Sequence, residues 1–127
     1  MLPFSVVFRA GVSVHEQVVF TVKKACVAGQ LQPGDSFPSV RTLSQELRIN
    51  PNTAHKVVAT LVGEGLLEVR PGIGTVVARA PAATRAQRRT LLREEVERLV
   101  VEARNLSVDM DEVLDAVRDH WRRLDGQ

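Results

Sequence analysis

Between residues 13 and 65 the apolar side chains recur with the period of a helix, broken twice by turn chemistry. Val14, Val18 and Val22 follow one another every four residues, with Val19 and Ala25 on the same side, so residues 13–28 are predicted as an amphipathic helix that Gly29 ends. Gln30 to Asp35 is a turn, because Pro33 presets φ and Gly34 supplies the freedom a tight reversal needs. Ser39 is a good N-cap, and Val40, Leu43 and Leu47 then share one face of a short second helix that stops near Arg48. Asn50 is a strong capping residue, and Pro51 suits a first helical turn, where its missing N–H costs nothing. In the third helix that starts there, Ala54, Val57, Val58, Leu61 and Val62 form a single buried stripe. At about 100° per residue the opposite face carries Asn52, Lys56, Ala59 and Gly63, with Thr53, His55 and Thr60 on its margins.

The period then changes. Leu66 to Arg70 and Gly74 to Ala78 are apolar segments with β-branched residues, and Pro71-Gly72-Ile73 between them is turn chemistry, so they are predicted as a hairpin. Ala80 to Thr84 is a composition break. Beyond it Leu92, Val96, Leu99 and Ala103, broadened by Leu91 and Val100, line a fourth helix. A fifth opens at Asp109, with Glu112 completing a capping box and Val108 with Val113 placed for a hydrophobic staple. Met110, Val113, Val117, Trp121 and Leu124 form its stripe, and Arg122 and Arg123 near its end suit the helix dipole. The expected fold class is mainly α with a small β-hairpin: a winged helix-turn-helix over residues 1–79, a linker over 80–84 and a two-helix tail over 85–127.

Composition narrows the class of protein. At 127 residues, 44% hydrophobic and 25% charged, the chain has room for one core with an appendage and the balance of a folded globular protein. Its longest uncharged apolar runs, such as Val18 to Val22, are too short to span a bilayer, and the N-terminus lacks the layout of a signal peptide, so no membrane partner and a cytoplasmic location are expected. Net charge is +2 and unevenly placed: residues 1–80 hold eight Lys and Arg against five Asp and Glu, while residues 81–127 hold nine against ten. The first part is the better partner for a polyanion. Cys26 is the only cysteine, which excludes an intrachain disulfide and a multi-thiolate zinc site; it reads as a small apolar side chain on a helix, the alternative being a redox sensor.

A helix enters the DNA major groove when its exposed face lacks bulk and offers donors and acceptors to base edges and phosphates. The third helix fits: Asn52 suits an adenine edge, Lys56 a guanine edge or a phosphate, and Thr53 and Thr60 phosphate oxygens, with Ala59 and Gly63 permitting close approach. Periodicity alone describes a merely solvated face equally well.

Several motifs in order point further. Gly29, Leu31, Pro33-Gly34-Asp35, Pro38-Ser39-Val40-Arg41 and Leu43 are followed by Ile49-Asn50-Pro51-Asn52-Thr53, Glu64-Gly65-Leu66-Leu67 and Gly72-Ile73-Gly74-Thr75. Over residues 12–79 the sequence resembles the GntR family of bacterial regulators, and within it the YtrA-like subfamily. That resemblance implies DNA contact by Arg41 of the Pro-Ser-x-Arg motif, with Ser39 beside it, and by Asn52, Thr53 and Lys56 of the recognition helix. It implies that Gly72 and Gly74 let the wing backbone approach the minor groove. Ile73 stands between them where relatives often carry a basic residue, leaving Arg70 or Arg79 to serve phosphates; His55 stands where other branches carry Arg, and contacts phosphate or flanks the groove. A repressor acting on a double-stranded, two-fold symmetric operator is the implied function, with no cofactor and no metal.

The tail fits the same picture, since two helices cannot enclose a drug-sized cavity of about 300 Å³ and still bury their own stripes. Their exposed seams need a partner, so a homodimer built on Leu92, Val96, Leu99, Val113, Val117 and Trp121 is expected. An enzyme is disfavoured: His15, His55 and His120 are isolated, Cys26 has no neighbouring histidine, and no Walker loop or dinucleotide fingerprint is present. A winged helix used for protein contact or non-specific chromosome binding is the other alternative, and selection of binding sites from random DNA separates it from a specific regulator.

Overall fold

A computed structural model describes residues 2–125. The chain divides into two compact units, one ending at Ala80 and the other beginning at Pro81.

The first unit holds three helices and a hairpin. Helix α1 (Val14–Val27) starts where Ser13 Oγ accepts from Glu16 N–H, and Gly29 follows its end with φ +83°. Helix α2 (Val40–Leu47) is capped by Ser39 and ended by Arg48, a non-glycine residue in the left-handed region at φ 54°. Helix α3 (Pro51–Gly63) is capped by Asn50. Strands β1 (Leu67–Arg70) and β2 (Gly74–Val77) pair antiparallel with Leu67 opposite Val77 and Arg70 opposite Gly74. The turn before α2 adds a third segment to this ribbon. Asp35 N–H donates to Gln32 O across Pro33 and Gly34, the latter at φ +95°, which is the arrangement a proline-glycine type II turn requires. Gly34 N–H then donates to Val77 O, Val77 N–H to Asp35 O and Phe37 N–H to Thr75 O, all at 2.8–2.9 Å. The wing is thus tied to the loop that precedes α2.

These elements enclose one core. Val18, Val22, Leu43, Ala54, Val57 and Leu61 are fully buried, with Val19, Ala25, Val58, Leu67, Val76 and Val77 around them. The N-terminal segment contributes too, although it has no helical or strand period to announce it. Phe4 is buried and stacks on Phe37, with ring centroids 6.0 Å apart and planes 17° from parallel, while Leu2 and Val6 pack against the same cluster. Gln17 holds the segment's far end: its amide N–H groups donate to Arg9 O and Val12 O, and its Oε1 accepts from Arg9 N–H.

The second unit is helical. Thr84 and Gln87 form a reciprocal capping box at the start of α4 (Arg85–Thr90), a signal in the sequence that reading Thr84 as linker passes over. A π-helical turn, Leu91–Glu95, joins α4 to α5 (Val96–Asn105), and Val96 N–H donates to Leu91 O, five residues back. The added residue rotates the faces before and after it against each other. Helix α6 (Met110–Leu124) is capped by Asp109, whose Oδ1 accepts from Glu112 N–H; this is the forward half of the expected capping box. None of these four segments contains a buried residue. The tail therefore leaves much of its apolar stripes open to solvent, with Leu92, Val96, Leu99, Val117 and Trp121 exposed, while Val113 of the expected seam is half-buried, as are Ala103 and Leu124.

Candidate nucleic-acid interface

The rotation of α3 is fixed from behind. Ala54, Val57 and Leu61 are completely buried and Val58 nearly so, which leaves Asn52, His55, Lys56 and Ala59 exposed and Thr53 half-buried. Asn50 Oδ1 accepts from Asn52 N–H at 2.7 Å, so the cap consumes the Asn52 backbone donor and not its side chain. Among the described residues, no hydrogen bond or ion pair engages the side chains of Arg41, Asn52, His55 or Lys56. An unpaired cation and an unsatisfied amide on one exposed helical face are what base edges and phosphates require.

The entry of α3 is set by Ser44, a residue whose role no periodicity announces. It is buried, its Oγ–H donates to Ile49 O at 2.8 Å, and its own carbonyl accepts from Ile49 N–H at 3.1 Å. One side chain thus closes the turn between α2 and α3. That turn also carries Arg48, which is exposed and lies just ahead of the recognition helix. Arg41 is exposed on the first turn of α2, and α2 packs on α3. Ser39 caps that helix, its Oγ accepting from Thr42 N–H and donating to Thr42 Oγ1, so the hydroxyl's donor is used within the fold.

Two other residues expected at DNA have internal partners. Thr60 is half-buried, and its Oγ1 shares a 2.9 Å hydrogen bond with His15 Nε2 from α1, so the pair ties the two helices together. Thr60 lies on the margin of the exposed face nearest α1, which explains why it is drawn inward. In the wing, Arg70 Nε and Nη2 both donate to Glu68 Oε1 at 3.0 and 2.7 Å; the pair is solvent-exposed and can exchange for a phosphate at little cost. Ile73 N–H donates to Arg70 O, closing a turn around Pro71 and Gly72, the latter at φ +77°. The tip is apolar: Val69 is 64% and Ile73 70% exposed. Arg79 is exposed beyond β2. Burial raises the pKa of the Cys26 thiol above its ordinary value, which keeps it protonated at neutral pH and argues against a reactive thiolate. Among the described residues, no cluster of His, Cys, Asp and Glu could hold a metal ion, and no helix is long and apolar enough to cross a membrane.

Because Arg41 is exposed and unpaired, replacing it should affect binding and leave folding alone. Arg41→Ala is expected to weaken DNA binding about 10-fold or more, as for removal of a cation from a phosphate, with thermal stability within about 0.5 kcal/mol of the parent. A parallel titration and melting curve check both halves, and a collapse in stability would make Arg41 a structural residue.

Three helices, a hairpin wing and an uncovered polar face on the third helix define a winged helix-turn-helix of the DNA-binding type. The model of the gntR family of bacterial regulatory proteins matches residues 14–77, and the chain belongs to that family as a DNA-binding transcription regulator. It is 29% identical over 112 residues to the HTH-type transcriptional repressor YtrA of Bacillus subtilis, covering 87% of this chain and 86% of that protein. Among solved structures, YtrA from Sulfolobus acidocaldarius, a GntR-family transcription factor, superimposes with a TM-score of 0.62 at 26% identity, covering 76% of this chain and 96% of the other. A transcriptional antiterminator from Listeria monocytogenes shares the fold over 98% of this chain and 93% of its own, with a TM-score of 0.85 at 22% identity.

Proposed function

We propose that this chain is a sequence-specific repressor that binds a two-fold symmetric operator as a homodimer, with α3 in the major groove and the β1–β2 wing beside the minor groove. The observation that carries the reading is the rotation of α3, which buries Ala54, Val57 and Leu61 and leaves Asn52, His55 and Lys56 in solvent. Asn52 reads an adenine edge, and Lys56 serves a guanine edge or a phosphate. Arg41, with Arg48 ahead of α3, anchors the phosphates on either side. With Ile73 at its tip, the wing offers van der Waals contact and backbone approach, and Arg70 is released from Glu68 to a phosphate. Residues 1–79 form the DNA-binding domain, 80–84 the linker and 85–127 the dimerising tail. Support for the dimer comes from the tail itself, whose helices contain no buried residue within one chain. Its relative in Bacillus subtilis is described as a repressor, and that sign of regulation is the one proposed.

Selection from random duplex DNA tests the reading. Enrichment of an inverted repeat is expected; recovery of no preferred sequence would leave only non-specific binding, which differs from specific binding by about 10³–10⁷ in affinity. On the selected operator, Lys56→Ala should reduce the slope of log affinity against log salt by about 0.9 for each phosphate that the lysine neutralises. An unchanged slope with weaker binding would assign Lys56 to a base edge instead.

A further inference from the structure

Helices α5 and α6 meet at an elbow, Leu106 to Asp109, where Ser107 takes φ +59°. Neither helix contains a buried residue. The elbow leaves an open groove of about 480 Å³, walled by Val100, Ala103, Val108, Met110 and Val113, with Arg104 and Asp109 at its rim. At the other end of α6, Trp121 is 71% exposed. It cannot reach the groove of its own chain, because Val113 and Trp121 sit two turns apart on one helix, about 12 Å along the axis.

We propose that the elbow groove is filled by Trp121 of a second copy of this chain, through antiparallel pairing of α6 with its twin about a two-fold axis at Val117. The inference rests on the homodimer reading and adds the register of the interface and the residue that completes it. With the axis at Val117, the partner's Trp121 lies level with Val113 and the partner's Leu124 level with Met110, so the stripe meets its own copy apolar against apolar. Large meets small, since the widest side chain of the stripe is delivered to the recess beside Val113. Charge selects the direction. The first turn of α6 is acidic, with Asp111 and Glu112, and the last is basic, with Arg122 and Arg123. Antiparallel pairing sets each acidic end beside a basic one and opposes the two macrodipoles, whereas parallel pairing sets like beside like. Asp115 and Asp119 lie about 160° around the helix from Val117 and turn away from the seam, where they hold Arg118 at 3.5 Å and Arg123 at 2.9 Å. Asp111 and Arg123 lie about 120° and Glu112 and Arg122 about 140° from Val117, so the charged ends select direction through the field along the helix and not by contacts across the seam. A buried indole also needs an acceptor for its N–H. Asp109 lines the groove and spends Oδ1 on capping Glu112 N–H, which leaves the second carboxylate oxygen as an acceptor.

Trp121 is the only tryptophan and the chain has no tyrosine, so its emission reports this seat directly. In the dimer the emission should be blue-shifted and shielded from acrylamide, and it should move to the red on dilution to monomers. Trp121→Ala should raise the dimer dissociation constant at least about 30-fold, as for an interface anchor. In a Cys26→Ala background, Val117→Cys should oxidise to a linked dimer by itself. Trp121→Cys should link to Val113→Cys in mixed dimers, which retain one intact tryptophan seat, while each of these two alone should stay unlinked because its sulfurs are about 12 Å apart. Self-linking of Trp121→Cys would establish a parallel register and overturn the proposal. A dimer with water-exposed Trp121 would likewise overturn it, leaving the groove to a small apolar ligand and the homodimer standing. A chain that sediments as a monomer throughout would instead overturn the homodimer reading itself.

Discussion

Cut after Ala80, the chain is expected to yield folded monomers whose affinity for the full operator falls by about 10²–10⁴. The magnitude follows from tethering: once one half-site is engaged, the second is bound at the effective concentration that the tail imposes, and no contact to DNA need change. Folding of the fragment is expected because, among the described residues, every buried apolar side chain belongs to the first unit, whereas none of the helical segments of the second unit contains a buried residue. The measurement needs two duplexes. On a single half-site the truncated and full chains should bind alike, and only on the inverted repeat should they separate. Sedimentation of the fragment as a dimer would move the interface into the DNA-binding unit. Equal affinity on the inverted repeat would show that the tail does not couple the two half-sites.

What the sequence made legible is what local chemistry dictates. Ser39 and Asn50 cap helices because a short side chain with an oxygen is the cheapest acceptor for free N–H groups, and that preference is written one residue before each helix. The rotation of α3 follows from five apolar positions on one face, so the exposure of Asn52 and Lys56 could be read without coordinates. Interactions between distant segments leave no such period. Ser44 closes the α2–α3 turn with a single hydroxyl, and His15 reaches Thr60 across 45 positions of sequence; both residues look like ordinary polar surface in a helical pattern. The π turn is similarly silent, since Leu91 and Leu92 fit an ordinary helical stripe as well as a widened one.

Phe4 is the most consequential residue of that silent kind. Phe4→Ala is expected to destabilise the first unit by about 3 kcal/mol, the lower end of the range for buried aromatic truncation, because the ring lies at the edge of the core. The loss combines transfer of the ring to water, the stacking against Phe37, and the space left beside it. Phe37 is the last residue of the segment that pairs with β2 and lies two positions before the cap of α2, so loosening it reaches both the wing and the positioning of Arg41. For a domain of ordinary stability, about 5–15 kcal/mol, a loss of this size is a large fraction of the total. Denaturant titration should show a lower midpoint with an unchanged slope. Below the transition, affinity for the operator should remain within a few-fold of the parent, because Asn52, Lys56 and Arg41 keep their places. An unaltered midpoint would mean that the N-terminal segment lies on the core without holding it. A lost affinity at full folding would instead make the Phe4–Phe37 stack part of how the wing and α2 are aimed at DNA.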